Sequence, residues 1–123
     1  MSMENAKGVI EHDSAKNRPT DYLYRVSLKA LIRDERGRVL VVKEGGRTYW
    51  DLPGGGMDHG ETIDVALARE LHEEVGLRSS FTWRVLTVDQ PKYSPGHDFW
   101  QMRIIIEVTP EVIEIQSGQD SDE

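Results

Sequence analysis

"GGGMDHGETIDVALARELHEEVGL", residues 54–77, contains the clearest helical pattern of the 123-residue chain. Its apolar residues recur at every fourth position, at Ile63, Leu67, Leu71 and Val75. A repeat close to 3.6 residues predicts an amphipathic helix with one buried face. Thr62 can serve as the N-cap and Gly76 as the C-terminal stop, so we expect a helix from Thr62 to Val75.

Three glutamates, Glu70, Glu73 and Glu74, lie in the last turns of this helix. Carboxylates are disfavoured there because the backbone dipole is negative at a C-terminus, and the i,i+4 pair of like charges adds repulsion. All three fall within roughly 100° of the helix circumference, beside the apolar stripe. A hard divalent cation such as magnesium would relieve the repulsion. The alternative is an ordinary solvated helix face.

The loop before the helix is rich in glycine and ends in an acidic residue. Gly55, four residues, Gly60, Glu61 and Thr62 copy the spacing of a P-loop, but a glutamate stands where the phosphate-binding lysine belongs. The glycines also do not match the dinucleotide-binding spacing. They offer close backbone approach and carbonyl oxygens, which magnesium accepts as ligands. Arg69 could hold Glu61 across the loop or meet a phosphate. The alternative is an ordinary tight turn.

The rest of the chain reads mainly as strands. We expect one helix among about six strands, which favours an α+β sandwich with the helix packed on a mixed sheet. The segments assigned to strands are a hairpin over 24–44 turning at 34–37, a short strand in 47–55 ended by Pro53, strands at 80–89 and 99–109 joined by a loop at 90–98, and short strands at 111–116 and Gly8–Glu11.

Length and composition favour one cytoplasmic domain. We divide the chain into a flexible tail (1–20), a domain (21–116) and a polar tail (117–123). There is no cysteine, which excludes disulfides and thiolate chemistry. The formal net charge of −7 argues against a nucleic-acid partner, and no apolar run is long enough to span a membrane. The N-terminus lacks the layout of a signal peptide.

The spacing of the fixed residues is specific when taken together. Gly55, five residues, Glu61, seven residues and then "RELHEEVGL" match the Nudix box at nine positions over 23 residues. The chain therefore resembles the Nudix hydrolases. The order of the strands around the box also resembles that family. The resemblance implies an α/β/α sandwich with a mixed sheet and one box helix.

The resemblance also implies a reaction and a set of roles. Nudix enzymes hydrolyse a pyrophosphate bond in a nucleoside diphosphate linked to another group, using a divalent metal, here Mg²⁺ or Mn²⁺. Carried onto this chain, Glu70 and Glu74 are the main metal ligands, with Glu73 as a third and the Gly55 carbonyl as a backbone ligand. Arg69 and Glu61 brace the loop against the helix. Which glutamate accepts the proton of the attacking water stays open.

The residues that select the substrate lie outside the box. A nucleoside triphosphate is our first expectation; ADP-ribose, a nucleoside-diphosphate sugar, or a non-catalytic nucleotide sensor are alternatives. Tyr93 and Trp50 are candidates for stacking a base, although each can equally fill the core or an edge. His97 is a candidate acid–base or metal group, against the alternative of an exposed loop.

The end of the chain departs from the family pattern. Family members continue beyond a stretch like 112–123 into a further strand and a C-terminal helix that packs on the sheet opposite the box helix. Without that helix we expect one sheet face to be exposed. Either a homodimer covers this face or the chain is a shortened form.

Overall fold

The computed structural model describes residues 24–96 and 98–115. These residues form five strands and one helix. In chain order they are β1 (Tyr24–Leu31), β2 (Gly54–Gly56), α1 (Ile63–Val75), β3 (Phe81–Val88), β4 (Lys92–Ser94) and β5 (Phe99–Pro110).

The strands form one mixed sheet in the order β2-β1-β5-β3, with β4 also paired to β5. β1 and β5 are parallel, with Ser27 opposite Arg103, whereas β2, β3 and β4 each pair antiparallel. The parallel central pair joins segments that are more than seventy residues apart in the chain, as the hydrogen bond between Gln101 and Ser27 shows. Side chains from both strands therefore meet on each face of the sheet.

Helix α1 packs its apolar stripe against one sheet face. Leu67 and Leu71 are fully buried with Leu28 and Ile106 from the two central strands. Gly76 ends the helix in the left-handed conformation (φ 70°), and its N–H donates to the His72 carbonyl. The cost of this conformation for a residue with a Cβ explains why glycine serves as the stop here.

Several sequence-based expectations are confirmed. The helix begins one residue after Thr62 and ends at Val75, and the strands expected at 80–89 and 99–109 are β3 and β5. The turn at 34–37 is present, with Gly37 N–H donating to Asp34 and Arg33 bridged to Val39. The mixed sheet with one helix on it agrees with the expected α+β sandwich.

Other expectations are wrong. The second strand of the hairpin expected over 24–44 is not formed, since Val39 and Val42 make only isolated bridges, and residues 113–115 have no regular structure where a strand was expected. The expected loop at 90–98 contains β4, which folds back onto the start of β5. The short strand predicted in 47–55 lies instead on Gly54–Gly56, after Pro53. Proline has no backbone N–H, yet its carbonyl still accepts from Ala30, so it leads into the strand rather than ending it.

Some expectations fall outside the described residues. They are the flexible tail at 1–20, the strand at Gly8–Glu11, His97 and the polar tail at 117–123. The domain limits and the homodimer stay predictions. The helix of the described part is too short and too polar to cross a membrane.

Candidate active site

A polar cleft of about 390 Å³ lies where β2, the helix and the central strands meet. It contains the two box glutamates Glu70 and Glu74 together with cations from two strands. Its lining residues are Ser27, Lys29, Glu44, Arg47, Tyr49, Asp51, Gly54, Gly55, Glu70, Glu74, Gln101 and Arg103. On β1 and β5 these residues sit at alternate positions, so they belong to the sheet face opposite the buried Leu28 and Ile106.

Arg69 ties the glycine loop to the helix. Its guanidinium donates to both carboxylate oxygens of Glu61, at 2.7 and 2.8 Å. It also donates to the Gly56 carbonyl at 3.2 Å and to Glu70 at 2.8 Å. The expected brace between Arg69 and Glu61 is therefore seen as a bidentate pair, the geometry that suits arginine best.

The ion pair between Arg69 and Glu61 shifts the pKa of both side chains. The Arg69 guanidinium and the Asp58 backbone N–H lower the pKa of Glu61 to about 2. The carboxylate of Glu61, followed by that of Glu70, raises the pKa of Arg69 above its ordinary value. Glu61 and Arg69 are therefore fully charged at neutral pH, and the loop keeps its position against α1.

Glu70 and Glu74 form the acidic pair of the cleft. Glu74 accepts a hydrogen bond from the Gly54 N–H at 3.2 Å. Glu70 lies against Gly55, where an added Cβ would come within 2.8 Å of its carboxylate. Burial raises the pKa of Glu74 to about 7, and the neighbouring Glu70 charge adds to this rise. The two carboxylates therefore repel each other at this partly buried position.

Glu73 is placed differently from the other two. Its side chain is 56% exposed, it is not among the lining residues, and its contact with Arg69 is 3.4 Å. The structure thus separates the three glutamates into two in the cleft and one on the outer side of the helix. The metal and catalytic roles of Glu73 stay predictions.

The donor set of the cleft fits magnesium. Among residues 24–96 and 98–115, no group of three acidic or histidine side chains forms a ready-made metal cage. Magnesium does not need one, because it takes one or two carboxylates and completes its shell with water and substrate phosphates. Glu70 and Glu74 supply that pair of hard oxygen ligands, and the glycine at position 55 leaves the space that a Cβ would fill.

Two cleft cations, Lys29 and Arg103, are absent from the sequence-based site. Lys29 on β1 is 11% exposed, and its positive charge acts on Glu74. Arg103 on β5 is 34% exposed and lies 3.0 Å from Asp51. The signal for both was a basic residue between apolar neighbours in a strand, at a position that alternation assigns to the other face.

Of the aromatic side chains near the site, one lines the cleft and the others do not. Tyr49 lines the cleft, with the Arg47 guanidinium 5.5 Å from its ring. Trp50 is 63% exposed beside it, under the Lys43 ammonium. Tyr93 is not brought to the cleft, because it packs at 5.7 Å against the ring of Trp100.

Comparison with known proteins places this site in a family. The family model of the NUDIX domain matches residues 23–123. The chain is 44% identical over 54 residues to the RNA pyrophosphohydrolase of Actinobacillus pleuropneumoniae serotype 5b, covering 44% of this chain and 26% of that protein. It is 38% identical over 81 residues to the RNA pyrophosphohydrolase of Baumannia cicadellinicola, covering 64% and 50%.

A solved structure gives the same result. The MutT protein of Methanosarcina mazei Go1 superposes with a TM-score of 0.59 at 26% identity, over 85% of this chain and 77% of that chain. The chain spans a quarter to a half of the length of the two curated relatives. The matches therefore support the domain and its fold more directly than the activity of any whole relative.

Proposed function

The chain belongs to the Nudix hydrolase family, and on this premise we propose that it hydrolyses a pyrophosphate bond in a nucleoside diphosphate linked to another group. The observation that carries the proposal is the Glu70–Glu74 pair, which faces a polar cleft also lined by Lys29 and Arg103. Such a cleft can hold both a divalent cation and the anionic phosphates that accompany it.

The residues of the cleft have separate tasks in this proposal. Glu70 and Glu74 would hold Mg²⁺ or Mn²⁺, with the Gly55 carbonyl as a backbone ligand. The metal, when bound, neutralises charge on the phosphate oxygens and lowers the pKa of a bound water. Arg69 keeps Glu70 in place and holds the loop to the helix. A carboxylate of the box can accept the proton that the attacking water loses.

We infer that the preferred substrate is a nucleoside triphosphate. The support is a cleft of about 390 Å³, large enough for a small ligand, with Tyr49 exposed at its wall to stack a base. The triphosphorylated 5′ end of an RNA is a second candidate, because both curated relatives are named RNA pyrophosphohydrolases. The net charge of −7 argues against extended contact with RNA, so we rank it second.

A substrate panel with magnesium tests the proposal. It contains nucleoside triphosphates, ADP-ribose, a nucleoside-diphosphate sugar and a 5′-triphosphorylated oligonucleotide, and released phosphate or pyrophosphate is measured. We expect turnover that chelator abolishes and that Glu74→Gln lowers about 100-fold or more, since metal stabilisation is worth several kcal/mol. Glu35→Gln, an exposed glutamate in the turn at 34–37, is the matched control and should leave turnover unchanged.

Each result of the panel has a definite meaning. Turnover of ADP-ribose or the sugar alone would keep the reaction and change the substrate. Binding without turnover of any member would favour a nucleotide sensor. Full activity in chelator, or in Glu74→Gln, would contradict the role of the acidic pair. Location in the cytoplasm stays a prediction.

A further inference from the structure

We propose that Arg103 is the residue that binds a substrate phosphate in the cleft, and that Asp51 positions it with the help of Lys29. This inference rests on the proposed function, because it identifies how the same cleft receives an anion. It is carried by the contacts of three charged side chains that come from β1, β5 and the segment before β2.

Arg103 lies at the point where the two central strands face the cleft. It pairs in register with Ser27, whose hydroxyl accepts a hydrogen bond from Gln101 at 2.7 Å. All three residues line the cleft that contains Glu70 and Glu74. A phosphate held at Arg103 would therefore share the cleft with the acidic pair.

Asp51 holds the Arg103 side chain in this place. One carboxylate oxygen accepts from Arg103 Nη2 at 3.0 Å and from the Leu52 N–H at 2.8 Å. The other lies 3.3 Å from the Lys29 ammonium. Although burial acts in the opposite direction, these cations and the backbone N–H lower the pKa of Asp51. Asp51 is therefore a shared partner, and one carboxylate cannot neutralise two cations.

Lys29 has little capacity left for a ligand. Besides Asp51, its ammonium lies 3.4 Å from the Leu52 carbonyl and 3.3 Å from the Gly54 carbonyl. Three oxygen partners match the three donors of an ammonium group. Lys29 is also 11% exposed. We therefore assign it to holding the segment before β2 rather than to contacting the substrate.

Arg103 differs from Lys29, because not all of its N–H donors have a hydrogen-bond acceptor among the described residues. A guanidinium has five N–H donors, and Nε of Arg103 is buried without a hydrogen-bond partner in the described residues. Nε lies 3.8 Å from Asp89, beyond hydrogen-bond distance. The Arg103 side chain as a whole is 34% exposed. An incompletely bonded guanidinium in a polar cleft, fixed from one side by a carboxylate, suits an anion such as phosphate, which can accept from two N–H donors through two of its oxygens.

Binding of magnesium pyrophosphate tests Arg103 without turnover. Calorimetric titration of wild type, Arg103→Ala and Arg103→Lys is compared with Arg84→Ala, an exposed arginine of β3 that bonds Glu107 outside the cleft. We expect Arg103→Ala to weaken binding about ten-fold or more. Arg103→Lys should recover part of this loss, because lysine keeps the positive charge but lacks the paired N–H donors of a guanidinium. Arg84→Ala should bind like wild type.

The positioning role of Asp51 has its own readout. Asp51→Asn should weaken pyrophosphate binding in the wild-type background but have no further effect on Arg103→Ala, because the two residues act as one unit. Equal losses in both backgrounds would show that Asp51 acts independently of Arg103, and would overturn its positioning role.

The outcomes also separate this inference from the proposed function. Unchanged pyrophosphate affinity in Arg103→Ala, or no binding by wild type, overturns the inference even if the panel shows turnover. Binding that depends on Arg103, together with no turnover of any panel member, supports the inference and rejects the hydrolase activity. In an active enzyme, Arg103→Ala should raise KM more than it lowers kcat.

Discussion

The charged residues of the box explain how a helix tolerates three glutamates near its C-terminus. Arg69 contacts Glu70 at 2.8 Å and Glu73 at 3.4 Å, so one cation within the box relieves part of the repulsion. Lys29, which lies far away in the sequence, acts on Glu74. Burial, and after it the Glu70 charge, still raise the pKa of Glu74 to about 7, so some repulsion remains. The remaining repulsion is what a metal would remove.

Two adjacent glycines make a prediction at the residue scale. An alanine Cβ at position 54 would overlap the Leu28 carbonyl oxygen in the β1 backbone, and φ is 134° there. An alanine Cβ at position 55 would meet only the carboxylate end of Glu70, at 2.8 Å. We expect Gly54→Ala to lower the free energy of unfolding by about 2 kcal/mol or more, since backbone cannot move aside cheaply. Gly55→Ala should cost less than about 1 kcal/mol.

For Gly55→Ala we expect the larger effect on activity rather than on stability. Gly55→Ala displaces a box carboxylate, so we expect about a ten-fold or larger loss of turnover in a protein that is still folded. Urea unfolding and phosphate release measure the two effects. A Gly55→Ala variant with wild-type turnover would mean that the position of Glu70 against Gly55 does not matter.

The helix could be predicted from the sequence, whereas the sheet was predicted only in part. α1 has local signals, namely the fourfold apolar repeat and Gly76 as the stop, and both ends agree within one residue. β2 consists of three glycines, which carry no strand propensity, and it exists because its backbone pairs with β1. β4 depends on pairing with β5 in the same way. The partner of β2 is distant in sequence, whereas β4 pairs with the nearby start of β5.

The ion pair between Glu61 and Arg69, which joins the loop to α1, predicts how stability depends on pH. The pKa of Glu61 is depressed from 4.5 to about 2 by Arg69 and the Asp58 N–H, so its contribution to stability is complete above about pH 4.5. That contribution is lost as the pH falls through about 2. The urea midpoint of Glu61→Gln should therefore lie below that of wild type at pH 7, and the difference should shrink as the pH is lowered from about 5 towards 3. Glu35→Gln, at a glutamate with no arginine partner within residues 24–96 and 98–115, is the control; a difference that stays constant with pH would contradict the ion pair.

At the scale of the whole molecule, the cleft is a product of the parallel pairing of β1 and β5. Ser27 and Lys29 meet Gln101 and Arg103 only through that register. The box could be predicted because its residues lie within 23 positions, but the cations of the cleft could not, because no local pattern says which distant strands pair. Tyr93, which the sequence suggested for the substrate, instead packs beside Trp100 in the local pairing of β4 with β5.

The last prediction concerns the stability of the protein with and without the two cleft carboxylates. Glu70 and Glu74 repel each other in a partly buried place, so replacing both by glutamine should leave the metal-free protein as stable as wild type or more stable. Glutamine at position 74 can still accept from the Gly54 N–H. Magnesium, in contrast, binds the folded wild type, and at 100 times its Kd it should add about 2.7 kcal/mol to the free energy of unfolding. Thermal unfolding should show a Tm rise of several degrees with magnesium in wild type and none in the double variant. Because the chain has a net charge of −7, an equal rise in both proteins would mean that the cation stabilises through general charge neutralisation rather than through this pair.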